Sequence, residues 1–144
     1  MAAEETEAYL VRLFRQMETS FPDALVTDWE SLIDAVHLPD PGDRHVVAAA
    51  RTGRADVIVT DNVADFPPGA LPAPLIRKSL NEFLIDSLDF YPGQVISAVH
   101  AVARRTGRSG PAMTASDIAT YLQARGMPTF GERLLANLDQ PGRT

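Results

Sequence analysis

The sequence predicts an α/β fold followed by a small all-helical region. Around residues 40–59 a helical pattern leads directly into a strand pattern. Asp40 suits the N-cap of a helix, Gly53 suits its end, and the β-branched run Val57–Val59 follows. A continuous run of this kind is typical of a strand in a parallel sheet that is covered on both faces, and a helix before such a strand indicates the α/β class. After residue 90 only helical patterns follow.

The segment before this unit is predicted to hold two helices and one strand. From residue 4 to residue 20, apolar residues recur at helical spacing, with Glu and Arg on the other face. Pro22 interrupts this pattern. Residues 24–26 are short and apolar enough for a strand, and Asp28 is a suitable cap for a brief helix that ends near residue 35.

The segment after the strand is predicted to hold a polar turn, a second short strand at residues 75–77 and four helices. Ser79 with Glu82 forms a capping box for the first of these helices. Pro92 opens a helix to about residue 105, Thr114 with Asp117 opens the next, and residues 130–138 form the last. These patterns predict two domains, at residues 1–90 and 91–144.

Composition restricts the chemistry that the chain can support. A net charge of -6 and a pI near 4.9 give no general attraction for a polyanion, so nucleic-acid contacts would depend on local Arg clusters or bound cations. The chain has no cysteine, so a metal would have to be held by oxygen or His. No apolar run approaches the roughly 20 residues that span a bilayer, and the first residues are unlike a signal peptide. We therefore expect a cytoplasmic protein.

The polar residues that follow the predicted strand are the first candidate site. Ligands bind outside the carboxyl ends of parallel strands, and Val57–Val59 leads into Thr60, Asp61, Asn62 and Asp65. Their oxygen atoms suit a hard cation such as Mg²⁺ or Mn²⁺. The same residues routinely build Asx turns, and composition alone favours that interpretation.

Two further groups of residues have both a structural and a functional interpretation. Asp43, in the first turn of the predicted helix, is a candidate metal ligand, but Asp40 with Asp43 also resembles a helix-capping pair. The basic group Arg104, Arg105 and Arg108 is a candidate phosphate contact. Arg near a helix C-terminus also offsets the helix dipole, and this is the more common role.

Residues 38–67 resemble a known family. The runs LPDPGDRHVVAAA (38–50) and ADVIVTDNVADFP (55–67) resemble the second half of the PIN domains of VapC-type ribonuclease toxins. The segments FPDALVT (21–27) and EFLIDSLD (82–89) also fit this resemblance. The resemblance implies a PIN-like parallel sheet flanked by helices, with a helical C-terminal region behind it.

The resemblance also implies a site and a function. Asp43, Asn62 and Asp65 match the positions that hold Mg²⁺ or Mn²⁺ in the family, and Thr60 matches the residue that helps to arrange the site. The implied function is that of a metal-dependent endoribonuclease toxin, which hydrolyses RNA and is restrained by a cognate antitoxin. A second copy of the chain, in a homodimer, is a further candidate partner.

The family begins with a strand that carries an Asp, and a Glu follows on a later helix. Neither motif precedes Glu4 in this sequence. We therefore expect a PIN-like sheet that is N-terminally incomplete, and an activity that requires a complementing N-terminal segment. The alternative is a noncatalytic, PIN-derived protein-interaction module, because loss of the first strand would expose apolar sheet edges.

Overall fold

The computed structural model describes residues 2–139, with side chains from Thr6 onward. Its α-helices and strands follow the predicted order closely: α1 (Ala2–Ser20), α2 (Arg44–Thr52), β1 (Val57–Val59), β2 (Ile76–Lys78), α3 (Leu80–Phe90), α4 (Pro92–Arg105), α5 (Ala115–Ala124) and α6 (Pro128–Leu138). The described residues divide into two compact units, one comprising residues 2–58 and 62–76, the other residues 59–61 and 77–139.

The two strands form a parallel pair. The backbone N–H of Ile76 donates to the carbonyl of Asp56 at 3.0 Å, and the N–H of Thr60 donates to the carbonyl of Lys78 at 2.9 Å. The pairing thus advances in the same direction along both strands, as a parallel ladder requires. The predicted class, α/β with a helical C-terminal region, is confirmed.

Two sequence expectations about strands are wrong. Residues 24–26 pair with no strand in the described part of the chain: Pro22–Ala24 is a 3-10 helix, and Leu25 is 70% exposed. The strand β1 is not covered on both faces, because Ile58 is buried while Val59 is 40% exposed. Apolar and β-branched residues favour a strand only where a partner and a covering layer exist, and sequence does not show either.

The first unit has a small core to which both α2 and β1 contribute buried residues. A 3-10 helix at Glu30–Ala35, in place of the brief helix predicted from residue 28, packs against α2. The buried residues of this core are Val36, Val47, Ala48, Ile58, Phe66 and Leu75. This core holds the start of α2 and the loop after β1, the two segments that carry candidate ligands.

The apolar side of α1 is exposed. This helix packs against the adjoining turn Pro22–Ala24, and its large apolar side chains remain open to solvent within the described part of the chain. We call them the α1 apolar face: Tyr9, Leu10, Phe14 and Met17. The amphipathic pattern correctly predicts the helix, although it does not say what covers its apolar side.

The second unit is a helical core built from α3, α4, α5 and α6. Its buried residues are Leu88, Val99, Ala115, Ile118, Ala119, Phe130 and Leu134. Asn81 at the start of α3 accepts the backbone N–H of Phe130 at 3.1 Å, and Arg133 on α6 forms an ion pair with Asp89 on α3. Helix α3 therefore packs with the helices that follow it. The predicted domain boundary at residue 90 stays a prediction.

No helix in residues 2–139 is long and apolar enough to cross a membrane.

Capping boxes begin α3 and α5, as predicted. Thr114 Oγ1 accepts the N–H of Asp117 at 3.1 Å, while the backbone N–H and the hydroxyl of Thr114 both donate to the Asp117 carboxylate at 2.8 Å. These hydrogen bonds, first from the backbone and then from the side chain of Thr114, hold the pKa of Asp117 below its ordinary value of 3.8. Hydrogen bonds from Ser79 lower the pKa of Glu82 in the same way.

We expect the Asp117→Asn variant to lose stability near neutral pH and to match the parent protein in strong acid. A carboxylate with a lowered folded-state pKa stabilises the protein above its unfolded-state pKa, and this contribution is lost as pH falls through the folded-state value. Thermal unfolding from about pH 6 to about pH 2 measures the difference. Replacement of the exposed Glu132 by Gln is the charge-matched control. A difference between Asp117→Asn and the parent that persists unchanged at the lowest pH would contradict this expectation.

Candidate functional site

Two of the candidate carboxylates lie at the start of α2. Asp40 caps a 3-10 turn, Pro41–Asp43, and its Oδ1 accepts the N–H of Gly42 at 2.7 Å. Residues three apart eclipse one another in a 3-10 helix. Asp43 therefore lies one turn beyond Asp40 on the same side, and α2 continues from Arg44. The sequence correctly predicts Asp40 as a cap, although the first turn is 3-10 rather than α.

The third carboxylate lies in the loop that leaves β1. Asn62 and Asp65 form an Asx-type turn, in which the Asn62 amide donates to Asp65 Oδ2 at 2.5 Å and the Asp65 N–H donates to Asn62 Oδ1 at 3.4 Å. Phe66, the next residue, is 4% exposed and packs in the core. The turn and the buried ring together hold the Asp65 carboxylate.

The fold brings these three carboxylates into one cluster. One carboxylate oxygen from each of Asp40, Asp43 and Asp65 lies within 4.8 Å of the others. Asp40 is exposed, while Asp43 and Asp65 are half-buried. Asp43 and Asp65 are predicted ligands, whereas sequence reasoning treats Asp40 only as a cap. Its spacing of three from Asp43, in a segment opened by Pro41, is the signal that could have identified it.

The other predicted residues of the loop have different surroundings. Thr60 is half-buried, and its backbone continues the ladder to Lys78. The Asp61 carboxylate accepts the N–H of Leu80 at 3.2 Å, at the start of α3. Asn62 contacts Asp65 and therefore orients a carboxylate of the cluster. The structural interpretation of this turn is confirmed. The turn also positions Asp65, so the functional interpretation is compatible with it and stays a prediction.

Arg44 and His45, next to Asp43, serve the local backbone. Arg44 Nε donates to the carbonyl of Pro41 at 3.1 Å, and His45 Nδ1 lies 2.7 Å from the carbonyl of Gly42. Both side chains therefore brace the turn that carries Asp40 and Asp43.

The donor set of the cluster suits Mg²⁺ or Mn²⁺. These cations prefer oxygen ligands, at about 2.1 Å for Mg²⁺, and usually keep several waters. Ligand atoms at that radius lie about 3–4 Å apart in an octahedron, so oxygens within 4.8 Å of one another need only small adjustments. The partial exposure of the carboxylates leaves room for waters or for phosphate oxygens.

The helices of the second unit match a described family. Residues 81–136, which run from α3 into α6, match the VapC50 C-terminal domain. This match agrees with the resemblance of residues 38–67 to VapC-type proteins.

The chain is also similar in sequence to one particular curated protein. The chain is 44% identical over 79 residues to "Putative ribonuclease VapC50" from Mycobacterium tuberculosis. The match covers 51% of this chain and 46% of that protein, so the chain spans about half the length of the relative. No solved structure matches the chain.

Proposed function

We propose that this protein is a metal-dependent endoribonuclease that hydrolyses RNA phosphodiester bonds. The observation that carries the proposal is the convergence of Asp43 and Asp65, with Asp40, on a cluster of oxygen atoms within 4.8 Å of one another. The first two are the positions to which the PIN resemblance assigns metal binding. The relationship to a protein named as a ribonuclease supports the same activity.

In this proposal the three carboxylates hold Mg²⁺ or Mn²⁺, Asn62 positions Asp65, and Thr60 helps to arrange the loop. A bound divalent cation supplies an activated water and stabilises charge on the phosphate. Hydrogen bonds within the turn at Asp40–Asp43 and within the Asx turn at Asn62–Asp65 position these carboxylates for the cation.

The metal also removes an electrostatic conflict. Carboxylates that lie close together repel one another, and an acidic site repels the phosphates of RNA. A divalent cation reduces both effects. Productive binding of RNA at this cluster is therefore expected to require Mg²⁺ or Mn²⁺.

The proposed partners follow from the VapC relationship and from one exposed surface. A toxin of this type would be restrained by a cognate antitoxin, and the chain could pair with a second copy or with a complementing N-terminal segment. The α1 apolar face, with Phe14 at 59% and Tyr9 at 54% exposure, is a suitable place for any of them. Large apolar side chains that share one exposed surface commonly mark a protein contact.

The same surface favours an alternative function. If the carboxylates bound no cation, the α1 apolar face would make this chain a noncatalytic, PIN-derived interaction module. Uptake of Mn²⁺ therefore separates the two functions.

We expect the protein to bind Mn²⁺ in a calorimetric titration. With the complementing N-terminal segment supplied, we expect it to cleave RNA only when Mn²⁺ or Mg²⁺ is present. The Asp43→Asn variant is expected to weaken Mn²⁺ binding roughly 100-fold or more, because it removes a charged ligand. Loss of a residue that only orients a ligand weakens metal binding less. Cleavage should fall in parallel.

The control is Asp56→Asn, which removes the same charge at the amino end of β1, and it should bind Mn²⁺ as the parent does. Equal Mn²⁺ binding and equal cleavage by Asp43→Asn and the parent would refute the ribonuclease proposal. Absence of Mn²⁺ binding by the parent would favour the interaction module.

A further inference from the structure

Positive charge is densest in one segment of this acidic chain. Arg104, Arg105 and Arg108 fall within five residues, whereas the three arginines of the other acid-free segment with a charge of +3, residues 44–55, span eleven. Residues 92–116 contain Arg104, Arg105 and Arg108 and no Asp or Glu, so this segment carries a formal charge of +3. Since the whole chain has a net charge of -6, the remainder carries -9. Local concentrations of one sign create a favourable potential for opposite charge even on a protein of the other sign. We call these three residues the arginine cluster.

The loop that carries the cluster is closed on itself. The hydroxyl of Thr106 accepts the N–H of Met113 at 2.8 Å, and Met113 packs against the core of the second unit. Gly107 has a φ of +86°, and a Cβ there would approach the Cβ of Ala112 at 3.2 Å. These contacts fix the two ends of the loop. Arg104 and Arg105 end α4, and Arg108 follows three residues later on the closed loop, so the three arginines share one ordered segment.

The local structure leaves the arginine side chains available. The common role of Arg at a helix C-terminus is to bond the terminal carbonyls or offset their dipole. Here the carbonyl of Ala103 already accepts the N–H of Thr106 at 3.1 Å and its hydroxyl at 2.6 Å. Arg104, Arg105 and Arg108 are exposed, and within residues 6–139 none of their side chains forms a hydrogen bond or an ion pair.

We propose that the arginine cluster binds the phosphate backbone of RNA, and this inference rests on the proposed ribonuclease function. A guanidinium group binds phosphate through two parallel N–H groups. Three such groups within five residues provide several contacts to one strand, and backbone contacts of this kind position RNA without reading its sequence. The cluster would supply the attraction for RNA that the acidic remainder of the chain lacks.

The test is a binding measurement with the full chain in EDTA, which keeps a labelled RNA intact. Fluorescence anisotropy would follow a fluorescein-labelled oligouridine of about 12 nucleotides, a length in the range of single-strand binding sites, at salt concentrations from about 50 to about 200 mM. The variant Arg105→Gln/Arg108→Gln removes two charges that lie three residues apart across the end of α4. The control Arg51→Gln/Arg54→Gln removes two charges with the same spacing across the end of α2.

We expect the Arg105→Gln/Arg108→Gln variant to raise the Kd for RNA roughly tenfold at about 50 mM salt. The slope of log K against log salt should become shallower by about 1.4, since each phosphate contact to a single strand contributes about 0.7. The Arg51→Gln/Arg54→Gln control should leave both quantities close to those of the parent.

Several outcomes would overturn this inference. The first is that the parent binds no RNA in EDTA, and the second is that the two double variants behave alike. The third is that a polyglutamate peptide binds through the cluster and RNA fails to displace it, which would assign the cluster to an acidic protein segment. RNA binding that depends on the cluster, without metal-dependent cleavage, would uphold this inference and refute the proposed enzyme activity.

Discussion

Replacing Gly131 with alanine is expected to lower the free energy of unfolding by about 2–3 kcal/mol, the range in which overpacking of a tight contact falls. A Cβ at this position of α6 would lie 2.7 Å from the carbonyl oxygen of Ala119 and 2.9 Å from the Cα of Gln123. Both are backbone atoms of α5, so the helices must separate to admit one methyl group. The helix preference of alanine, about 1 kcal/mol over glycine, is too small to compensate.

The matched control for this prediction is Gly93→Ala. Gly93 lies in α4, and a Cβ there would meet nothing within 4 Å. Alanine should therefore leave stability unchanged or raise it by about 0.4–1 kcal/mol through the unfolded state. Urea unfolding of the full chain measures both variants. If Gly131→Ala were as stable as the parent, the close approach of α5 and α6 would be wrong.

Replacing Phe66 with alanine is expected to destabilise the protein by about 3–5 kcal/mol, as is usual for a buried aromatic ring. Phe66 is 4% exposed in the core beneath α2, and it directly follows Asp65. Loss of the ring removes apolar contacts and also frees the loop that positions the Asp65 carboxylate. We therefore expect unfolding at lower urea concentration together with weaker binding of Mn²⁺.

A milder variant separates the two effects. Phe66→Leu keeps an apolar side chain, so the protein should stay folded while Mn²⁺ binding weakens by a smaller factor. Val63, in the same loop and 57% exposed, gives the control Val63→Ala, which should change neither property. If the folded Phe66→Leu variant bound Mn²⁺ as tightly as Val63→Ala does, Phe66 would serve stability alone.

The predictability of the candidate site varied with the kind of signal. Asp43 and Asp65 could be selected because the family resemblance assigns them a role, whereas Asp40 had an adequate local explanation as a cap. Only the folded chain shows that the cap and the two predicted ligands share one cluster. The contacts of the polar turn after β1 are likewise visible only in the folded chain, where Asp61 caps the next helix and Asn62 orients Asp65.

The sequence by itself determined the elements whose signals are local. The caps at Ser79 and Thr114 and the proline at residue 92 set where helices begin, because hydrogen bonds and backbone angles within one turn decide this. Tertiary structure alone decided that residues 24–26 form no strand, that β1 is covered on one side and that α3 joins the C-terminal core. It also decided that three carboxylates meet. Strand pairing, burial and ligand clusters depend on residues far apart in sequence, so only the packed chain specifies them.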